Sequence, residues 1–260
     1  IGEKRYFPTR KPLSITFPVN ENDSNDRYAR LYSTHSVDAI NTLRVPRYGL
    51  GLYIDPIAAK TASASEKKQI DNLGKAGKRL MGFCRTNLFK RLESSGYSFL
   101  QSIERHIARN KIYLYAIENK CDLPIGTLDI SDDIYEDEDE DEENIIENFT
   151  ESIYKNIYER YSTQYKNRFN WIDSRFFKKK LADELAADTQ ILTELLASQG
   201  GAWEAQKDHK LQAFLKLIQK THAKDKVLIF TQFADTARYL AKEAHTAGIK
   251  YVEVATGSSS

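Results

Sequence analysis

The chain has 260 residues, 41% of them hydrophobic, with 38 basic and 37 acidic side chains and a net charge of +1. This length and apolar content are ordinary for one large or two small globular domains. Two cysteines without a C-x-x-C pair exclude a disulfide framework, five scattered histidines show no metal-ligand spacing, and the apolar runs are too short to span a bilayer. Because nothing at the N-terminus resembles a signal peptide, we expect a cytoplasmic protein with no membrane partner.

The first long segment with a regular pattern is helical. Apolar residues recur at helical spacing and predict one or two helices from about Lys67 to Arg109. The stripe consists of Leu88, Leu92, Phe99, Ile103 and Ile107. The following run, Lys111 to Glu118, is short and apolar enough to be either a strand or a continuation of the helix.

An acidic run separates two populations of charge. Asp132 to Glu143 holds ten acidic residues in twelve, so the other 248 residues carry 38 basic and 27 acidic side chains, a balance of +11. Such a body suits a phosphate-backbone partner, although a basic surface can also serve solubility alone. We expect residues 131–143 to form a disordered loop, because like charges at this density repel each other. The alternative is a DNA-mimicking strip that covers the basic surface.

The region after the acidic run predicts three further helices. A tyrosine stripe at helical spacing is either the core face of an amphipathic helix or a stacking platform for single-stranded nucleic acid. Its members are Tyr154, Tyr158, Tyr161 and Tyr165. Leucine-rich stripes predict helices over Ser174 to Ser198 and Lys207 to Lys220. Gly200-Gly201 marks the domain boundary between residues 1–200 and 201–260.

The end of the chain predicts part of a parallel sheet. Lys226 to Phe233 (KVLIFTQF) reads as a strand, a helix follows with Asp235 near its N-cap and Gly248 at its C′ position, and Tyr251 to Ala255 reads as a second strand. The expected fold is therefore a mostly α-helical region followed by a truncated α/β piece with a parallel sheet, and we expect the chain to be a fragment.

KVLIFTQFADTARYL and GIKYVEVATG resemble motif IV and the start of the second RecA-like lobe of superfamily 2 helicases and Snf2-type DNA translocases. Cys84 to Asn110, above all NLFKRLESS, resembles the helical segment that follows the first ATPase lobe in bacterial Snf2-like helicases. Lys4 to Pro18 resembles the exit from that first lobe. The resemblance covers about half of the chain, in family order, and implies that residues 1–200 are an inter-lobe region and 201–260 the start of the second lobe.

The sequence lacks the catalytic motifs of that family. It contains no G-x-x-x-x-G-K-[ST] phosphate loop, no Walker-B pair after an apolar strand and no Q-x-x-G-R-x-x-R segment. We therefore expect no cofactor and no ATP hydrolysis in this chain alone. The resemblance implies that the parent protein uses ATP and Mg²⁺, with the missing motifs in its remaining lobes.

The resemblance also implies which residues lie near DNA. The motif IV segment and the T-G turn contribute Thr231, Gln232, Phe233, Thr256 and Gly257, which would hold phosphates without reading sequence. The upstream helical segment contributes Arg85, Lys90 and Arg91, for which packing against the motor core is an equal alternative. The partner would be duplex DNA. The competing hypothesis is a non-catalytic helical module that binds a protein partner through residues 150 to 220.

Overall fold

The computed structural model describes residues 11–23, 25–74, 77–126 and 151–256. These residues are mostly α-helical, as predicted, and the predicted acidic loop 131–143 lies outside them. The helices are α1 (Arg27–Leu31), α2 (Thr34–Thr42), α3 (Ala64–Gly74), α4 (Gly77–Ser94), α5 (Gly96–Glu118), α6 (Glu151–Thr163), α7 (Lys180–Ser198), α8 (His209–Lys216) and α9 (Ala234–Thr246). Strands β1 (Asp122–Ile125) and β2 (Asn170–Asp173) pair antiparallel, with Leu123 opposite Ile172.

Helix α5 is the central element and resolves the ambiguity of residues 111–118 in favour of a helix. Its N-cap is Ser95, whose hydroxyl accepts from the Ser98 backbone N–H. Its apolar period continues through Ile112 and Ala116, both buried, so one helix of 23 residues forms. The N-terminal half of α5 packs with α1, α2, α4 and the end of α7; its C-terminal half packs with α6, the two strands and the start of α7.

The tyrosine stripe belongs to the core. Tyr154, Tyr158 and Tyr161 are buried against the C-terminal half of α5, and Tyr165 lies just beyond the end of α6. The Tyr158 hydroxyl donates to the Asp122 carbonyl oxygen at 2.8 Å. A buried stripe offers no ring face to a nucleic acid, so the core alternative is confirmed.

One buried carboxylate fixes the strained loop that follows α2. Asp188 on α7 is 1% exposed and accepts from the backbone N–H groups of Arg44 at 2.8 Å and Val45 at 2.6 Å. Val45 is β-branched and has a φ of +46°, a left-handed conformation that needs such support.

We expect Asp188→Ala to lower the free energy of unfolding by about 2–4 kcal/mol, because the backbone N–H groups of Arg44 and the buried Val45 lose a charged acceptor. Urea denaturation followed by circular dichroism measures this. Asp183→Ala, at an exposed position in the first turn of the same helix, is the matched control and should change it by no more than about 1 kcal/mol, the usual contribution of a first-turn carboxylate. Equal stabilities of the two variants would contradict the role given to Asp188.

The predicted domain boundary is a turn that is held by the N-terminal helices. Gly200 and Gly201 have φ values of +82° and +84°. The buried Arg27 guanidinium donates to the carbonyl oxygens of Gly200 at 3.2 Å, Gly201 at 3.0 Å and Ala202, and it lies over the Trp203 ring. The segment after the boundary therefore packs against α1 and is not a free linker.

Helix α9 is confirmed, with Asp235 in its first turn and Gly248 just past its end at a φ of +82°. The flanking runs are different. In the described chain neither Val227–Phe230 nor Tyr251–Ala255 belongs to a strand, and Phe230 and Tyr251 are 90% and 98% exposed. A parallel strand needs neighbouring strands and a cover on both faces, and the described residues supply only α9. The parallel sheet stays a prediction.

Candidate nucleic-acid interface

Helix α4 has one buried and one exposed face. Cys84, Leu88 and Leu92 are buried against α5 and α2. The exposed face carries basic, aromatic and amide side chains at helical spacing, namely Arg79, Phe83, Thr86, Asn87 and Lys90. The Arg79 guanidinium lies 5.5 Å from the centre of the Phe83 ring, which is 54% exposed. Cationic groups next to an exposed ring are the elements with which proteins hold nucleic-acid strands.

The C-terminal end of α4 meets the segment 231–236, and this contact brings together several of the predicted residues. The Arg91 guanidinium lies 4.6 Å from the centre of the Phe233 ring. The Thr231 hydroxyl lies 3.3 Å from the Ser94 hydroxyl. Lys90 precedes Arg91 on the exposed face of α4, and Gln232 is exposed between its two neighbours. We call this contact between residues 90–98 and 231–236 the α4–α9 junction.

A buried ion-pair cluster holds the junction together. Asp235, 9% exposed, accepts from Arg91 Nη1 at 2.7 Å and from both terminal nitrogens of Arg105 at 2.8 and 3.2 Å. Burial by itself would raise the pKa of Asp235, but the hydrogen bonds and charges of Arg105 and Arg91 lower it below its ordinary value. The carboxylate is therefore ionised at neutral pH, and it fixes helix α9 to both α4 and α5.

Hydroxyl groups complete the junction. The Thr236 side chain, 3% exposed, lies 2.9 Å from the Ser94 hydroxyl and 3.0 Å from the Ser98 hydroxyl. Lys210 Nζ donates to the carbonyl oxygens of Glu93 and, at 2.9 Å, Ser94, where a cation stabilises the C-terminus of α4. These contacts hold the C-terminal end of α4 against the first turn of α9.

Among the other predicted residues, Arg85 makes a contact outside the junction. Arg85 Nη1 donates to the Leu43 carbonyl oxygen at 2.8 Å, so this side chain connects α4 to the end of α2. Thr256 is half-buried. Gly257 lies outside the described residues. The described contacts thus join Arg91 to Phe233 and Ser94 to Thr231, with Lys90 and Gln232 next to them in the sequence, and engage Arg85 with the end of α2.

A cavity of about 290 Å³ opens beside the exposed face of α4. Its exposed lining residues include Phe83, Asn87 and Lys90, which we call the mouth, and its more buried ones include Tyr48, Cys84 and His106, which we call the inner wall. We call it the Phe83 cavity. Its size is at the lower end of the range for small-molecule sites.

The inner wall of the Phe83 cavity is held by hydrogen bonds. Arg47 donates from Nε to Asn110 Oδ1 at 2.7 Å and from Nη2 to His106 Nδ1 at 3.1 Å. Because a guanidinium only donates, Nδ1 is an acceptor and the imidazole proton is on Nε2, 3.9 Å from the Cys84 sulfur.

The cysteine and histidine of this wall are both neutral. Burial raises the pKa of the Cys84 thiol. Burial and the charges of Arg47, Arg109 and Arg91 hold the pKa of His106 well below its usual range. The neutral thiol faces the N–H group of a neutral imidazole. The two do not form a thiolate–imidazolium pair, so this arrangement does not support nucleophilic catalysis.

Several residues of the site were missed from the sequence. Asp235 was predicted only as a residue near a helix N-cap, and Arg105, Ser94 and Thr236 were not singled out. No local pattern indicates that a first-turn aspartate of one helix pairs with arginines 130 and 144 residues away. Phe83 and Asn87 were not singled out either, although their helical spacing from Lys90 on one face is visible in the sequence.

Comparison of the chain with protein-family models, with curated proteins and with solved structures finds no match. None of the described helices is both long and apolar enough to cross a membrane. In residues 11–23, 25–74, 77–126 and 151–256, histidine, cysteine and acidic side chains form no group of three that could hold a metal ion.

Proposed function

We propose that this chain is part of an ATP-dependent Snf2-type DNA translocase of helicase superfamily 2, in which it contacts the DNA backbone and couples two lobes. The observation that carries the proposal is the α4–α9 junction. It joins an exposed basic face on α4 to the motif IV-like segment 231–233 through a buried ion-pair cluster. Movement of the segment is then transmitted to α4 and α5.

Lys90 and the exposed Gln232 supply the contacts to DNA in this proposal. An ammonium group and an amide hold phosphate oxygens without reading bases. Arg91 acts mainly through Asp235 and Phe233, so its role is to position the segment. The basic balance outside the acidic run adds a long-range attraction to the duplex.

ATP and Mg²⁺ belong to the parent protein in this proposal. The sequence has no phosphate loop, so its residues do not fit a nucleoside triphosphate. No step of hydrolysis is assigned to them. The remaining lobes of the parent would supply that chemistry, and they are the partners with which the 227–230 and 251–255 runs would complete a parallel sheet.

The exposure of these same runs favours a second candidate, a protein-interaction module without a role on DNA. Leu228 and Phe230 are 75% and 90% exposed, and adjacent exposed apolar side chains mark surfaces that bind other proteins. Salt-dependent DNA binding separates the two candidates, because a protein-interaction module requires none.

We expect Lys90→Ala to weaken binding of a short fluorescent duplex and to reduce the slope of log K against log salt by about 1, since one phosphate contact is lost. Fluorescence anisotropy between about 50 and 200 mM salt measures both quantities. Lys166→Ala removes an exposed lysine near β2, far from the junction in the fold, and is the matched control. If both variants bind like the unmodified chain, Lys90 is not a DNA contact.

A further inference from the structure

We propose that the Phe83 cavity binds one nucleobase that carries an exocyclic carbonyl oxygen. The base comes either from an unpaired nucleotide of a nucleic-acid strand on the α4 face or from a free nucleotide. If the base belongs to a nucleic-acid strand, the inference rests on the proposed function. If it belongs to a free nucleotide, the inference is independent of that function.

The size and walls of the cavity select the class of ligand. A volume of about 290 Å³ has room for one planar heterocycle rather than for a dinucleotide. The exposed Phe83 ring at the mouth, with Arg79 over it, offers a surface on which any base can stack. Tyr48 supplies a second aromatic ring in the wall.

The inner wall selects for an acceptor on the base. His106 and Cys84 both line the cavity, and the one described partner of the His106 Nε2–H group is the Cys84 sulfur, a weak acceptor, at 3.9 Å. Arg47 holds this tautomer by donating to Nδ1. A carbonyl oxygen of guanine, hypoxanthine, cytosine, thymine or uracil would be a better partner, whereas adenine has no exocyclic oxygen to offer.

The mouth of the cavity fits the phosphate of the same nucleotide. Lys90 and Asn87 lie at the edge of the cavity and are exposed. A base inside the cavity therefore has its backbone next to a cation and an amide donor, the pairing that single-strand binding surfaces use. The walls and the mouth thus recognise different parts of one nucleotide.

The test uses single-stranded eight-residue oligonucleotides in which seven positions are abasic sugars and only one central position varies, measured by fluorescence anisotropy. The central position is deoxyinosine, with a 6-oxo group, unsubstituted purine deoxyriboside, which lacks it, or an abasic sugar. We expect deoxyinosine to bind about tenfold more tightly than the abasic oligonucleotide, through stacking. We expect it to bind about fivefold more tightly than the purine oligonucleotide, through one hydrogen bond.

Two variants separate stacking from hydrogen bonding. Phe83→Ala, at an exposed position that does not threaten the core, should abolish most of the preference for a base over an abasic sugar. Phe230→Ala removes an exposed ring outside the cavity and should leave the preference intact. His106→Leu should abolish only the preference for deoxyinosine over purine, provided that its circular dichroism spectrum is unchanged; if the spectrum changes, the Phe83→Ala result decides.

The outcomes distinguish this inference from the proposed function. Equal binding of the three oligonucleotides overturns the cavity site, and bound duplex DNA in the same experiment would leave the translocase proposal standing. Competition by free deoxyinosine monophosphate at concentrations similar to those of the oligonucleotide supports the cavity with a free nucleotide as its ligand, even if duplex DNA does not bind. Binding of neither duplex, oligonucleotide nor free nucleotide overturns both proposals.

Discussion

Replacing Asp235 by alanine is expected to detach helix α9 from α4 and α5 and to cost about 3–5 kcal/mol of stability in the segment that follows residue 201. The reason is that Arg91 and Arg105 would keep their charges at a part-buried site without the carboxylate that now accepts from both. Hydrogen exchange read by mass spectrometry should show faster exchange at the amides of α9 and of residues 94–98. The amides of α6 should be unaffected, because they pack on the other half of α5.

The effect of pH provides a second measure of the same cluster. The pKa of Asp235 is lowered in the fold, so its contribution to stability is fully present above the carboxyl pKa of the unfolded chain and is lost as pH falls through the folded pKa. Asp235→Asn should therefore lose less stability than the unmodified chain over the acid range. Asp225→Ala, at an exposed position outside the ion-pair cluster, is the control. If α9 exchanges equally slowly in Asp235→Ala, the cluster does not hold it.

Replacing Asp208 by alanine is the change with the second largest expected effect, about 3–5 kcal/mol. Asp208 is 2% exposed and is the N-cap of α8, where Oδ1 accepts from the Leu211 N–H at 2.8 Å. Its carboxylate also accepts from the Tyr28 hydroxyl at 3.0 Å and the Tyr239 hydroxyl at 2.9 Å. The substitution removes a helix cap and leaves two buried hydroxyls without their acceptor.

Thermal and urea denaturation of Asp208→Ala measure this loss. Asp208→Asn keeps one side-chain oxygen for the cap and should lose roughly half as much. Tyr239→Phe removes one of the two hydroxyls and should lower the free energy of unfolding by about 1 kcal/mol. This hydroxyl also accepts from Trp203 Nε1, so the variant loses that hydrogen bond as well. A loss below 1 kcal/mol in Asp208→Ala would show that α1, α8 and α9 do not depend on this carboxylate.

The helices were predictable because their apolar stripes are long and regular. The stripe from Leu88 to Ile107 spans α4 and α5, and the leucines of α7 gave that helix, although it begins at Lys180 and not at Ser174. The break between α4 and α5 depends on Ser95 as a cap and on Gly96, where a side chain would meet Trp203 at 2.5 Å. A contact with a residue more than one hundred positions away leaves no local signal. The β1–β2 pair was missed for a similar reason, because Leu123 and its partner Ile172 lie 49 positions apart in the sequence.

Part of the candidate site was predictable in its residues, but its geometry was not. The resemblance named Lys90, Arg91, Thr231, Gln232 and Phe233, and the structure places Arg91, Thr231 and Phe233 in the α4–α9 junction, with Lys90 and Gln232 next to them in the sequence. The resemblance did not indicate that Arg91 donates to Asp235 or that Arg85 donates to the Leu43 carbonyl oxygen. Such pairs form only when helices that are distant in the sequence pack together. The cavity beside Phe83 requires α4, α5 and the 46–48 turn together, so no segment of sequence contains it.

The most direct test of the DNA-contact proposal is hydrogen exchange of the full 260-residue chain with and without a 20-base-pair duplex at low salt. The proposal predicts slower exchange at amides of α4 and of residues 231–236, and loss of this protection as salt is raised, because the contacts are to phosphates. Protection confined to α6 and α7, or no change anywhere in the chain, would contradict it.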